Sequence, residues 1–368
     1  MKHFIKNHKY RFISFACGFC LFLSAFSSII TSLPEVSGGI SLFSAGLFVP
    51  GGLQTIFSSG GENFSEKISY EVFHKSESSS KPQEETAQMV LGVPTETQKV
   101  SEENKGVINE VQYLFSAGGN ILSHGGGYIK NSTTHSNEDV LNIISQKPNI
   151  SLKCDGTIEV LILHTHATEC YNPYDSGVFD KTIPSRNSDN ENNMVRVGAV
   201  LTSELQKLGI GVVHCTTQHD VTFNGAYTRE AASVAEYTEK YPDIKIIIDL
   251  HRDAIEPDAN TRVKPTAIIN GKKAAQIMIL SGCDNGNMNF PDWAENLRLN
   301  ALLESHIETS YPGLTKPVFF NYSKYNQNLS TGATLIEIGS HANTLKEAEY
   351  TASLIAKPIY EALCELKG

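Results

Sequence analysis

Three short stretches carry side chains that could do chemistry together: His164-Thr165-His166 followed by Glu169, then His251-Arg252-Asp253, then Glu337 within Thr334-Leu335-Ile336-Glu337-Ile338-Gly339. Two imidazoles and a carboxylate, with no cysteine among them, form the donor set that suits Zn²⁺ at a hydrolytic site, where a fourth position stays open for water. His166 is favoured over His164 as the ligand, because it lies nearer the following loop and three residues from Glu169. His164 then orients a ligand or meets the substrate. If the preceding strand runs on, both imidazoles share one face. Glu337 is the candidate proton carrier, since apolar neighbours on both sides raise a carboxyl's pKa by desolvation. Asp249 and Asp253 are suited to supporting the His251 imidazole or the Arg252 side chain. The plain structural alternatives are a polar strand end with satisfied imidazoles, and a Glu337 paired with Arg196 or Arg252. Neither a G-x-S-x-G elbow nor an H-E-x-x-H helix is present.

These residues converge only if the elements carrying them end at one rim. Ile158–Leu163 is a short branched apolar run and reads as a buried strand. Residues 210–214, 244–250 and 334–338 read the same way. Helical spacing covers 194–208, ending at Gly209, and also 227–240, 291–308 and 344–366. Residues 266–269 and 276–280 read as paired strands across the Asn270-Gly271 turn. Strands with little polar alternation, separated by helices, predict an α/β fold: a mostly parallel twisted sheet with helices on both faces. In such sheets function gathers past the carboxyl ends of the strands.

The start of the chain has a different texture. Residues 12–30, FISFACGFCLFLSAFSSII, hold no charge and follow Lys2, Lys6, Lys9 and Arg11. About 20 apolar residues span a bilayer, so the expectation is a cytoplasmic basic segment at 1–11 and a transmembrane anchor at 12–30. Everything beyond then lies outside the cell membrane by the positive-inside rule. A cleaved signal peptide is the competing reading. Residues 31–150 read as an extracytoplasmic linker region, with a flexible, polar tether at 74–106, and 151–368 as the catalytic domain. Of seven cysteines, the five after the apolar run are odd in number and widely spaced, which argues against a disulfide scaffold. A net charge of −10 argues against a general nucleic-acid binder.

The strings VLILHTHATECY (160–171), NNMVRVGAVLTSELQKLGI (192–210), IIIDLHRDA (246–254), YNQNLS (325–330) and TLIEIGSHANT (334–344) together resemble the stage II sporulation protein P family. The resemblance covers about residues 155–366. It implies a membrane-anchored peptidoglycan hydrolase with an amidase-like fold, acting in forespore engulfment. Such a protein cleaves the amide between muramic acid and L-alanine with Zn²⁺, and also peptide cross-links. It implies partnership with stage II sporulation proteins D and M. Carried over, the metal positions are His166 or His164, Glu169 and His251, with Glu337 catalytic. Glu191 is a rival to Glu169, and Arg196 a contact for a peptide-stem carboxylate. Cys170 departs from the Ser or Ala expected after the glutamate, and its thiol is a candidate stray ligand. The contrasting readings are a wall-binding scaffold with a decayed site and a secreted metallopeptidase.

Overall fold

The computed structural model describes residues 86–89, 94 and 99–368. The expected anchor at 12–30 and most of the expected tether lie outside those residues. Among the described residues no helix is long and apolar enough to cross a membrane.

Eight strands form the larger sheet, in the spatial order β3 (Ile121–His124), β4 (Gly127–Ser132), β12 (Val318–Asn321), β11 (Ile277–Gly282), β13 (Ala333–Ser340), β8 (Ile246–Asp253), β5 (Ile158–Leu163) and β7 (Gly211–His214). Every neighbouring pair is parallel except β3 with β4 and β11 with β13. The sheet is therefore mostly parallel, as its apolar strands predict. Val160 and Ile162 of β5 face the main core, whereas Leu161 and Leu163 face a second cluster with Val234 and Ile247. Both faces are thus covered. The main core is closed by α2 (Met194–Lys207), α4 (Trp293–Ser310) and α5 (Leu345–Cys364). Val234 belongs to α3 (Ala226–Lys240), on the opposite face. α2 starts where the Asn193 side chain accepts from the Val195 amide, and α5 starts with a Thr344–Glu347 capping box.

A second, mostly antiparallel sheet joins β1 (Thr86–Met89), β2 (Lys105–Leu114), β9 (Thr261–Ile269) and β10 (Lys272–Ala275), with β6 (Val178–Asp180) on β2. The two sheets are stitched by Gln276, whose side chain accepts from the Tyr113 amide and donates to the Tyr113 and Gly313 carbonyls. Ser340 Oγ also donates to the Val263 carbonyl oxygen at 2.6 Å.

Two expectations are corrected. The first is the domain boundary. The folded body does not begin at 151, because β2, β3 and β4 are integral to the two sheets and α1 (Asn137–Ile144) packs on the main core. Residues 105–150 are therefore not linker, and Thr86–Met89 inside the expected tether pairs with β2. β3 and β4 are short and glycine-flanked, and β2 and β4 find partners, β9 and β12, far along the chain, so local pattern does not reveal them. The second is the hairpin. Its turn stands at Asn270-Gly271, with φ of 50° and 75° as a type I′ turn requires, but it pairs β9 with 272–275. Residues 277–282 instead cross to the larger sheet as β11.

Candidate functional site

The first strand end is an abrupt one. β5 stops at Leu163, so alternation lapses and the two imidazoles of His164 and His166 part. His164 turns inward, its Nδ1 3.1 Å from the Leu250 carbonyl oxygen and its Nε2 2.9 Å from His214 Nε2. Burial and the facing His214 hold its pKa well below the usual value. It is a buried support, with no exposure to solvent.

His166 turns the other way. Its ring lies parallel to Phe223, 4.8 Å between centroids, and edge-on to Tyr227 and to His251, 5.3 Å away. Nδ1 is buried without a hydrogen-bond partner, and its nearest acid oxygen, Asp220 Oδ2, is 3.9 Å off. Burial, with the charges of His251 and Arg186, pushes its pKa down to about 3.

β8 supplies the second imidazole. His251 and Asp249 are two apart on one strand and share a face. Asp249 Oδ2 sits 2.7 Å from His251 Nε2, while its Oδ1 and Oδ2 accept from the Thr165 amide and hydroxyl. The other nitrogen, Nδ1, faces Glu169 Oε2 at 3.6 Å. Burial alone would lower the His251 pKa, but the carboxylates of Asp249, Glu169 and Glu337 raise it to about 9. Glu169 is fixed by the Arg252 amide (3.1 Å to Oε2) and by Arg186, 3.7 Å from Oε1.

β13 brings the last group alongside. Glu337 is the register partner of His251 in the parallel β8–β13 pair. It is half-buried, and its Oε2 has no hydrogen-bond partner. Burial, joined by the charge of Asp253, pushes its pKa well above the carboxylate range, against the pull of Lys316 and His251. Asp253 Oδ2 itself is 3.2 Å from Lys316 Nζ.

His166, Glu169, His251, Glu337 and Asp253 therefore gather at the carboxyl ends of β5, β8 and β13. Among the described residues, no three His, Cys, Asp or Glu groups are already drawn together closely enough to hold a metal ion. Other expectations fall elsewhere. Arg196 pairs with Glu349 at 2.5 Å and with Glu191 at 3.4 Å, so Arg196 and Glu191 serve each other on a solvent face. Arg252 donates from its guanidinium to the carbonyl oxygens of Cys170, Ser185 and Asp253, which ties down the loop after Glu169. It is not paired with Glu337 through any of these bonds. The Cys170 thiol points to the Pro184 carbonyl oxygen at 3.5 Å. The five described cysteines are all free thiols.

The sequence profile of the stage II sporulation protein P family matches residues 52–360. The chain belongs to the stage II sporulation protein P family. A curated relative, stage II sporulation protein P of Bacillus subtilis (strain 168), is 29% identical over 209 residues, 54% of this chain. Those residues span 49% of the relative, so the chain matches about half of its length. Solved structures offer looser likenesses. N-acetylmuramoyl-L-alanine amidase AmiC2 of Nostoc punctiforme has a TM-score of 0.35 and 11% identity, over 57% of this chain and 97% of that one. N-acetylmuramoyl-L-alanine amidase from Clostridium difficile 630 has a TM-score of 0.33 and 16% identity, over 57% of this chain and 96% of that one.

In this stage II sporulation protein P family member, several residues around the cluster escape a reading by strand ends and motifs. Arg186 Nη1 donates to Asp220 Oδ2 at 2.6 Å, and the Thr168 hydroxyl donates to the same oxygen. Phe223 and Tyr227 wall His166, and Lys316 backs Glu337 and Asp253. One signal was available for Asp220 and Phe223: they follow β7, another parallel strand, and the strand-end rule applied there points at the loop that carries them.

Proposed function

We propose that this chain is a metal-dependent peptidoglycan hydrolase that cuts the amide between N-acetylmuramic acid and L-alanine. His166, Glu169 and His251 are the residues that would hold Zn²⁺. The donor types fit, and so does one spacing: ligands about 2.0–2.1 Å from a tetrahedral zinc stand roughly 3.3 Å apart, close to the 3.6 Å between His251 Nδ1 and Glu169 Oε2. The unpartnered Nδ1 of His166 supports the same reading, because a buried nitrogen without a partner is costly unless it has a ligand to meet. When bound, Zn²⁺ lowers the pKa of a coordinated water toward about 7 and polarises the scissile carbonyl.

The chain's own residues do the rest. Asp249 fixes the His251 ring by its contact to Nε2, leaving Nδ1 as the free donor atom. Glu337 is the carboxyl that takes the water proton at Oε2 and returns it to the leaving nitrogen of L-alanine. The observation that carries the proposal is the placement of Glu337: beside His251 in register, desolvated, with Oε2 unpartnered. Lys316 stands next to it and stabilises the anion whenever the proton leaves.

The cellular setting belongs to the same proposal. The apolar run at 12–30 holds the protein in the cell membrane as a single-pass anchor, with the hydrolase outside the cytoplasm. It acts in engulfment with stage II sporulation proteins D and M, and peptide cross-links are a second substrate. Family membership supports this setting. Replacing Glu337 with Gln tests the chemistry: release of stem peptides from purified sacculi should stop while bound zinc is retained. Release at the wild-type rate would remove Glu337 from the mechanism.

A further inference from the structure

Metal-binding histidines are ordinarily oriented by a hydrogen bond from the ring nitrogen that does not touch the metal, to a carboxylate or a carbonyl. His251 has such a bond to Asp249. Among the described residues His166 has no such bond at either ring nitrogen: Nδ1 is unpartnered, 3.9 Å from an Asp220 Oδ2 already engaged by Arg186 and Thr168, and Nε2 makes no hydrogen bond, so whichever nitrogen meets a metal, the opposite one is not held. What bounds the His166 ring is aromatic: Phe223 in parallel contact at 4.8 Å with an interplanar angle of 3°, and Tyr227 edge-on at 5.9 Å.

Phe223 is held where it is by a built clamp. It sits in the loop between β7 and α3, and Arg229, in the first turn of α3, reaches back across that loop. Its Nε donates to the His219 carbonyl oxygen at 2.6 Å and Nη1 to that of Asn224 at 3.2 Å, while Nη2 donates to Thr222. The loop carbonyls on both sides of Phe223 are therefore fixed to one rigid guanidinium. Arg186 stands 5.0 Å from the Phe223 ring centre and joins the loop to the turn after His166 through Asp220. Yet Phe223 remains 37% exposed and Val221 77% exposed. A large apolar side chain left this open adds little to the core, so its fixed position calls for another reason.

We propose that Phe223 is a positioning residue for His166: the Arg229-clamped loop lays its ring against the imidazole and so sets the plane in which that imidazole meets a metal. Stacking takes the place of the missing hydrogen bond. The inference rests on the zinc reading above and adds to it the device that pre-sets one ligand. Losing an orienting partner of a metal ligand typically lowers metal affinity about 10- to 100-fold.

The test uses the full chain in detergent, with zinc affinity measured by competition against a chelating dye for the wild type, Phe223→Leu and Phe223→Tyr. The melting temperature of each metal-free protein is recorded alongside. Phe223→Leu should bind zinc about 10-fold more weakly with an unchanged melting temperature, and Phe223→Tyr, which keeps the ring, should bind as the wild type does. A purely structural role would not separate Leu from Tyr in this way. Equal zinc affinity in Phe223→Leu and the wild type overturns the positioning role alone. A wild type that binds no zinc overturns the metal reading, and the positioning role with it.

Discussion

Glu337 and Glu304 are both carboxyls taken out of water, and their neighbours set them apart. Glu337 faces His251, Lys316 and Asp253, a mixed group of charges through which a proton can arrive and leave. Glu304, on α4, meets neutral donors: the Tyr128 amide at 3.1 Å and the Thr315 hydroxyl at 2.9 Å, with its other oxygen unpartnered. Burial raises the Glu304 pKa to about 8. This acid therefore stays protonated in the folded chain at pH values where the unfolded chain has released its proton. Its contribution is fully present below the unfolded value near 4.5 and is lost as pH rises toward about 8, at roughly 1.4 kcal/mol per pH unit. Glu304→Gln should remove that slope, so denaturant melts at pH 5 and pH 8 should show the variant gaining on the wild type as pH rises. Parallel profiles would mean that Glu304 is not held protonated by the fold. No neighbouring motif marks Glu304 in the sequence, whereas Glu337 stands out because it interrupts an apolar strand two residues before a glycine.

At the scale of elements, α2 shows how closely the site's supports are packed. A Cβ on Gly198 would lie 2.6 Å from ring atoms of His164 and 2.7 Å from His214. Both rings belong to the buried pair behind the cluster. Alanine gains about 1 kcal/mol over glycine in a helix, but overpacking a close-packed core costs about 1–3 kcal/mol. The clash is with rigid rings at the ends of two strands, which puts the overpacking cost at about 2–3 kcal/mol, so after the helix gain Gly198→Ala should destabilise the protein by about 1–2 kcal/mol on a denaturant melt; an unchanged or raised midpoint would show that the ring pair can shift. Legibility follows from the same packing. β5, β8, β13, α2 and α5 are continuous or strictly periodic in apolar residues, because each is buried against the main core, and their bounds are readable to within a few residues. β12 and the second sheet are short or half-exposed, and their register comes from distant partners. At the site, His166, Glu169, His251 and Glu337 were legible as polar residues at apolar strand ends. Arg186, Asp220, Phe223 and Lys316 were not, because they come from loops without periodicity. Arg196 stands apart from that group because its helix turns it to Glu349, a neighbour set by tertiary packing.

Across the whole molecule, the folded body depends on chain that looks like linker. β4 pairs in parallel with β12, and β2 pairs in parallel with β9, so both sheets recruit strands from residues 105–132. A fragment starting at residue 151 would expose the edges of β12 and β9 and leave the Gln276 bonds to Tyr113 unmade. That fragment should show no cooperative thermal melt, whereas one starting at residue 86, which keeps β1, should melt cooperatively; a cooperative melt of the shorter piece would show that the first strands are dispensable. In the proposed function, imidazole and carboxylate groups from three strand ends act together on the muramoyl amide through a bound metal. Mass spectrometry of the soluble products from sacculi treated with the full chain, with chelator and after added zinc, is the decisive experiment. The expected result is stem peptides that begin with a free L-alanine amine, absent under chelation and restored by zinc. Products that persist unchanged in chelator, or cleavage only at other bonds, would contradict it.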